Sequence, residues 1–232
     1  MAVGGAKMTG RGQMSEAFST AAFLSASGGL QDAYTYIARG EVFANAQTGN
    51  IVLLSQNLFQ GNWTRALRYL IPLLAFAFGV AAAEYIRHRF RDMDRIHWRQ
   101  PVLLVEIVLL FLVGFLPESL HLLANALVSF CCAMQVQAFR KVNGYAYAST
   151  MCIGNLRSGV ESLCAYQRTG DPKLRGKAAR YFGVILLFAL GAGAGGICIQ
   201  LWGLRAIWAS CVLLLVGFCL MLRSEETAKT RE

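Results

Sequence analysis

The stretch "FANAQTGNIVLL" at residues 43–54 sets Asn45, Gln47, Thr48, Gly49 and Asn50 close together in a chain that is otherwise oily. Its surroundings decide how it is read. Of 232 residues, 56% are hydrophobic and only 15% are Asp, Glu, Lys or Arg, against roughly 25% charged in soluble domains. Mean hydropathy is +0.45. Five windows, 67–86, 101–116 with its flanks, 119–139, 181–201 and 205–222, supply the ~20 apolar residues that cross a ~30 Å hydrocarbon core, and 17–38 is a sixth, weaker one. A soluble helical bundle would show polar helix faces, and "VLLLVGFCLML" at 212–222 shows none. The composition therefore indicates an integral membrane protein with the lipid bilayer as its solvent.

The formal charge of +9 does not point to nucleic acid, because the basic residues gather in short loops between the apolar windows. The loops 87–99 ("RHRFRDMDRIHWR") and 168–180 ("RTGDPKLRGKAAR") are both expected on the cytoplasmic side, with the amino-terminal tail and the segment after Arg223. Making 43–60 and 144–166 full spans would put those two loops on opposite faces. A segment that enters the bilayer and leaves on the same side removes the conflict, and such backbone is tolerated only where protein or a watery cavity surrounds it.

An internal comparison pairs the two segments. "DAYTY" (32–36) matches "QAFRK" (137–141) and "TGN" (48–50) matches "IGN" (153–155), in each case 105 residues on. "FAFG" (76–79) pairs with "FALG" (188–191), and "LVGF" occurs at 112–115 and again at 215–218. The expected fold is all-α and membrane-integral, with six transmembrane helices plus two re-entrant or broken helices arranged as two inverted-topology repeats. The divisions are a cytoplasmic tail 1–16, a first repeat 17–116, a second repeat 117–222 and a cytoplasmic tail 223–232. Three spans per half is an odd number, so the second half enters upside down, and in that plan the site sits at the repeat interface and is built by discontinuous helices.

Several residues carry chemistry in that frame. Asp32 lies within the first window, and a lone carboxylate at mid-bilayer costs ~2.5–3.5 kcal/mol, so it should face protein or water with a partner, as a proton or cation site or a substrate contact. It also has a structural reading, as a cap for the broken segment. Gln47, Thr48 and Asn50 supply donors and acceptors and Gly49 backbone freedom, which suits an unwound helix end that attracts an anion or polar group. The alternative is a plain helix start capped by Asn45 or Thr48. Gln135, Ser149, Thr150 and Asn155 form a second polar group, with Gln137 at the position matching Asp32 and Gly154 in the second glycine motif. Glu106, six residues into its window, is a candidate coupling carboxylate. Glu84 can reach the surface beside its basic neighbours.

Other features exclude functions. The seven cysteines form no CxxC and no Cys/His pairing at zinc spacing, and His88, His97 and His121 are scattered, so no metal or cofactor site is expected. "GAGAGG" (191–196) fits a dinucleotide fingerprint by letter, but it lies in an apolar helix with no preceding strand and reads as a packing face. Trp63, Trp98 and Trp202 fall at expected membrane interfaces. No GxSxG, HExxH or Walker sequence is present, and the chain is not read as an enzyme.

"SGGLQDAYTYIARGEVFANAQTGNIVLL" (27–54), then "FAFG", "AMQVQAFRKVNG" (133–144) and a second glycine motif resemble the YoaK-type bacterial membrane family, a domain of unknown function. The resemblance runs from about residue 17 to 222. It implies a bacterial inner-membrane protein of six spans, and it brings no substrate or reaction. Members often carry Thr-Gly in the second motif; Ile153-Gly154 stands there in this chain, so a hydroxyl role at that position does not carry over. The leading expectation is a small secondary transporter or channel for a polar solute or ion, its site formed by Asp32, Gln47, Thr48 and Asn50 facing Gln137, Thr150 and Asn155. A non-transporting membrane scaffold or partner-binding subunit is the alternative. The small lipid-shielded interior of so short a chain is compatible with a homodimer.

Overall fold

The computed structural model describes residues 18–90, 98–142, 145–147 and 149–229. Eight α-helices make up most of these residues: α1 (Phe18–Ala38), α2 (Gln47–Phe59), α3 (Trp63–Phe90), α4 (Arg99–Val113), α5 (His121–Ala138), α6 (Cys152–Thr169), α7 (Pro172–Trp202) and α8 (Ile207–Lys229). A two-residue antiparallel ladder, β1 (Lys141–Val142) with β2 (Tyr145–Ala146), is a small departure from the all-α expectation. Three helical stretches are long and apolar enough to cross a membrane: Trp63–Phe90, Glu118–Ala138 and Pro172–Leu222. The last is α7 and α8 joined through the 3-10 turn Gly203–Ala206.

The helices outrun the apolar windows because their basic ends are good helix formers that favour the negative pole of the helix dipole or reach for water. Arg87, His88 and Arg89 form the last turn of α3. The expected basic loop 168–180 shrinks to a two-residue link. Gly170 ends α6 in a left-handed conformation (φ 70°), Asp171 accepts the backbone N–H of Lys173 at 2.9 Å, and Pro172 opens α7. The expected tail 223–232 likewise continues α8 as far as Lys229. The tail 1–16 and the middle of the loop 87–99, with His97, lie outside the described residues.

α1 is the most enclosed helix, although it is the least apolar of the expected spans. Ser25, Ser27, Gln31, Asp32 and Thr35 are all buried along it. It packs on α7, α8 and α5. The main core lies between α1, α4, α5 and α8, around Leu24, Leu103, Leu110, Met134 and Leu214. By contrast Phe78, Leu190, Ile197, Leu201 and Val212 point outward, an apolar exterior that water would penalise.

The packing pairs come in matched sets, each helix corresponding to the one four further on. α1 lies along α7 as α5 lies along α3, α2 on α3 as α6 on α7, and α1 on α8 as α5 on α4, while α4 meets α8 directly. Glycines permit the two closest crossings. A Cβ on Gly29 would lie 1.9 Å from the Phe188 carbonyl oxygen, and one on Gly191 2.0 Å from that of Ala26. Likewise a Cβ on Gly79 would lie 2.4 Å from the Phe130 oxygen. The expected packing role of "GAGAGG" holds for Gly191 and Gly195, whereas Gly193 faces open space.

At one end of the bundle Arg39 is buried and ties three elements together. Its guanidinium donates to the carbonyls of Val113 (3.1 Å), Leu116 (2.9 Å) and Pro117 (3.1 Å) and to the Tyr34 hydroxyl (2.8 Å). Tyr34 donates in turn to the Leu204 carbonyl at 3.0 Å. At the other end Arg99 donates to the Ala138 carbonyl at 2.9 Å, and Gln137 reaches Glu84 beside Arg87.

The described residues between α1 and α2 and between α5 and α6 are non-helical. Gly40 and Glu41 turn it with positive φ (91° and 61°), and Val42, Ala44 and Asn45 are buried. In the second connection Phe139, Tyr147, Ser149 and Thr150 are buried. Irregular backbone thus enters the interior in both places and is enclosed by protein.

Candidate functional site

Leu24, Gly28 and Asp32 follow one another at four-residue spacing and form one face of α1. Both irregular connections come to this face. The backbone N–H of Asn45 donates to Asp32 Oδ1 at 2.8 Å, and that of Ala44 also points to the carboxylate. The Asn45 side-chain amide donates to the Gly28 carbonyl at 3.2 Å. From the second half, Gln135 Nε2 donates to the Leu24 carbonyl at 3.2 Å and to Ser149 Oγ at 2.8 Å. Thr150 is seated against Gly28, where a Cβ would lie 2.3 Å from its methyl carbon. Gly28 is therefore required by contact with the opposite half of the chain.

This assembly is rich in acceptors. Asn45 Oδ1, Gln135 Oε1 and Thr150 Oγ1 are all buried without a hydrogen-bond partner. Buried polar atoms nearly always have partners, so three orphans along the α1 face that carries Asp32 call for water or a ligand as their partner. Asp32 itself is 8% exposed, and its polar partners are the Asn45 and Ala44 segment alone. No Lys, Arg or His stands against it among the described residues. Unpartnered oxygens along one helix face, with a carboxylate at its end and no counter-charge, suit a cation or a solute rich in N–H donors.

The expected residues divide on inspection. Gln135 and Thr150 are brought to the α1 face that carries Asp32, at Leu24 and Gly28, with Ser149 beside Gln135 and Asn45 beside Asp32. Gln47 and Asn50 are spent on their own loop. Asn50 Nδ2 donates to the Phe43 carbonyl at 2.6 Å and to Gln47 Oε1 at 2.9 Å, its Oδ1 accepts the Phe43 N–H at 3.2 Å, and Gln47 donates to the Ala44 carbonyl at 2.8 Å. Neither expected cap is used: the residue preceding α2 is Ala46, with no side-chain cap, and Thr48 is exposed in the first turn. Gly49 is helical and makes room for the Phe43 ring, 3.3 Å from where a Cβ would stand. Gly154 faces open space, and Asn155 is buried on the side of α6 with Gly159 and Ser162. Gln137 does not face Asp32; it bonds to Glu84.

Glu106 lies in a second polar group, wholly buried, with Gln31, Ser27 and Ser210. The last three were not anticipated from sequence. Ser27 and Gln31 stand one helical turn apart on α1, so a plot of its polar residues would have shown a second stripe beside the Asp32 face. Ser210 carries no such signal in its apolar window.

Long apolar helices, an apolar exterior and a polar interior around buried carboxylates fit a helical membrane protein. The chain belongs to the family described as "Protein of unknown function (DUF1275)", whose model matches residues 20–220. No curated protein and no solved structure matches it.

Proposed function

We propose that this protein is a small secondary transporter or channel for a polar solute or ion, more narrowly for a cation or a donor-bearing solute. Its six spans and two re-entrant segments would form two inverted-topology repeats in a bacterial inner membrane, with both termini cytoplasmic. The matched packing of α1–α7 with α5–α3, and of the other pairs, supports the repeat. The ties at the two ends support the orientation, since Arg87, Arg99 and the end of α5 gather at one end and Arg39, the end of α4 and the α7–α8 turn at the other. The 15-residue α4 spans only ~22 Å and turns Leu104, Val108, Phe111 and Leu112 outward, so the bilayer beside it would thin to match.

The observation that carries the proposal is the meeting of both irregular connections on the Leu24–Gly28–Asp32 face of α1, with three unpartnered oxygens along it. Irregular backbone from two repeats converging on a charged residue is the arrangement by which transporters hold ions. Purified protein in liposomes should conduct or exchange monovalent cations. Asp32→Asn should reduce that flux by roughly tenfold or more, the factor that accompanies ~1.4 kcal/mol of lost binding. Flux untouched by Asp32→Asn would remove Asp32 from the site. A wild-type protein that moves no cation, proton or amine would favour the scaffold reading, which gains from the self-contained hydrogen bonding of Gln47 and Asn50.

A further inference from the structure

The second polar group lies where α1, α4, α5 and α8 meet, one step around α1 from the Asp32 face. Glu106 Oε1 accepts from Gln31 Nε2 at 3.3 Å, and Oε2 has no hydrogen-bond partner. The titratable groups within reach of Glu106 are Cys131 and Cys132 of α5 and Cys211 of α8, while Asp32 follows Gln31 on α1. No Arg, Lys or His opposes it among the described residues. An ionised carboxylate there would hold one long hydrogen bond and no counter-charge, which a buried site penalises heavily. Binding a proton removes that penalty.

Counting hydrogens shows what the proton would change. Gln31 Nε2 stands within bonding distance of three oxygens, Ser27 Oγ (3.0 Å), Ser210 Oγ (3.0 Å) and Glu106 Oε1 (3.3 Å), yet it has two N–H bonds to give. The two serine hydroxyls also bond each other at 2.6 Å. On the far side of the amide, the Cys132 thiol donates to Gln31 Oε1 at 2.8 Å. That pattern serves an ionised Glu106. A protonated Glu106 offers an O–H and needs an acceptor. Reversing the Gln31 amide, which has nearly the same shape either way round, provides one. Its carbonyl then accepts from Glu106 and a serine, and its N–H donates to the Cys132 sulfur. The thiol hydrogen has to turn elsewhere. The Asn45 side-chain amide lies beside the Cys132 sulfur, and a turn of that amide would offer the thiol its Oδ1, which lacks a donor.

We propose that Glu106 is a proton-binding site whose occupancy sets the direction of the Gln31 amide and, through the Cys132 thiol, decides whether Asn45 Oδ1 is free to accept a ligand. With Glu106 ionised, Asn45 Oδ1 faces the Asp32 site without a donor. With Glu106 protonated, the thiol occupies it. Only the solute consequence rests on the transport reading: there the proton and the cation compete, across two helices, for one oxygen.

Infrared difference spectra of the purified full chain in liposomes test the proton site and the relay without any flux measurement. The wild type should show a protonated-carboxyl C=O band that is lost on raising pH, is absent in Glu106→Gln and is kept in Asp32→Asn. The S–H band removed by Cys132→Ala should shift as that carboxyl band is lost, and should stay fixed over the same pH range in Glu106→Gln. Gln31→Met should keep the carboxyl band and uncouple the thiol from it. Absence of a carboxyl band belonging to Glu106, a band that does not titrate, or a Cys132 S–H band that ignores it would each overturn the proposal. Absence of cation flux alongside these signals would count against the transport reading and leave the proton relay standing.

Discussion

Arg39 and Asp32 are both charged and both buried on or just past α1, and they do opposite things. Arg39 spends its donors on carbonyls at the end of α4 and on Tyr34, so its charge completes a helix end. Removing it strands those oxygens, at about 1–3 kcal/mol for each left without a donor. Arg39→Ala is expected to lower thermal stability in detergent sharply. Arg39→Lys should recover only part, because an ammonium cannot reproduce the fork. A melting temperature unchanged in Arg39→Ala would contradict this role. Asp32 instead accepts the backbone N–H groups of Asn45 and Ala44, while Asn45 Oδ1 beside it stays unfilled. That difference could not be read in the sequence, where both were isolated charges in or beside an apolar window. The same limit applies to "NAQTGN". Its polarity was plain, but only coordinates show that Asn50 and Gln47 turn back on their own loop while Asn45 turns toward α1.

Periodicity and length identified most of the helices, because lipid-facing elements such as α3, α7 and α8 are apolar nearly all round. The ends were less legible: Lys and Arg raise the charge of a window without ending the helix, as on the first turns of α7. α1 gave the weakest signal for a physical reason, since a helix shielded by its neighbours can be polar at no cost in lipid. α6 shows the inverse pattern. Its exposed stripe of Ile153, Leu156, Val160 and Leu163 is apolar, and its buried face carries Asn155, Gly159 and Ser162. Close helix approach makes a direct demand on side-chain size. Gly29→Ala and Gly191→Ala, where a Cβ would meet backbone at 1.9 Å and 2.0 Å, are expected to cost about 1–3 kcal/mol through overpacking. Gly193→Ala, with nothing near it, should be tolerated. Equal loss of folded yield for Gly191→Ala and Gly193→Ala would contradict the packing assignment.

At the scale of the molecule, the repeated landmarks "TGN" and "IGN" were visible in sequence, and the matched helix pairs supply what letters could not: which helix of one half lies on which helix of the other. Side-chain partners do not follow that pairing. Gln137, at the position matching Asp32, serves Glu84, and the second half contributes Gln135 and Thr150 to the site instead. On the transport reading, the two irregular connections enclose a polar site reachable by small ions. Thr150→Cys, in a background lacking the seven native cysteines, tests it most directly through labelling with a small charged thiol reagent applied to one side of sealed vesicles at a time. Labelling is expected from at least one side, slowed by a monovalent cation added with the reagent and altered by Asp32→Asn. No labelling from either side of a folded protein would mean a dry, packed junction and would contradict it.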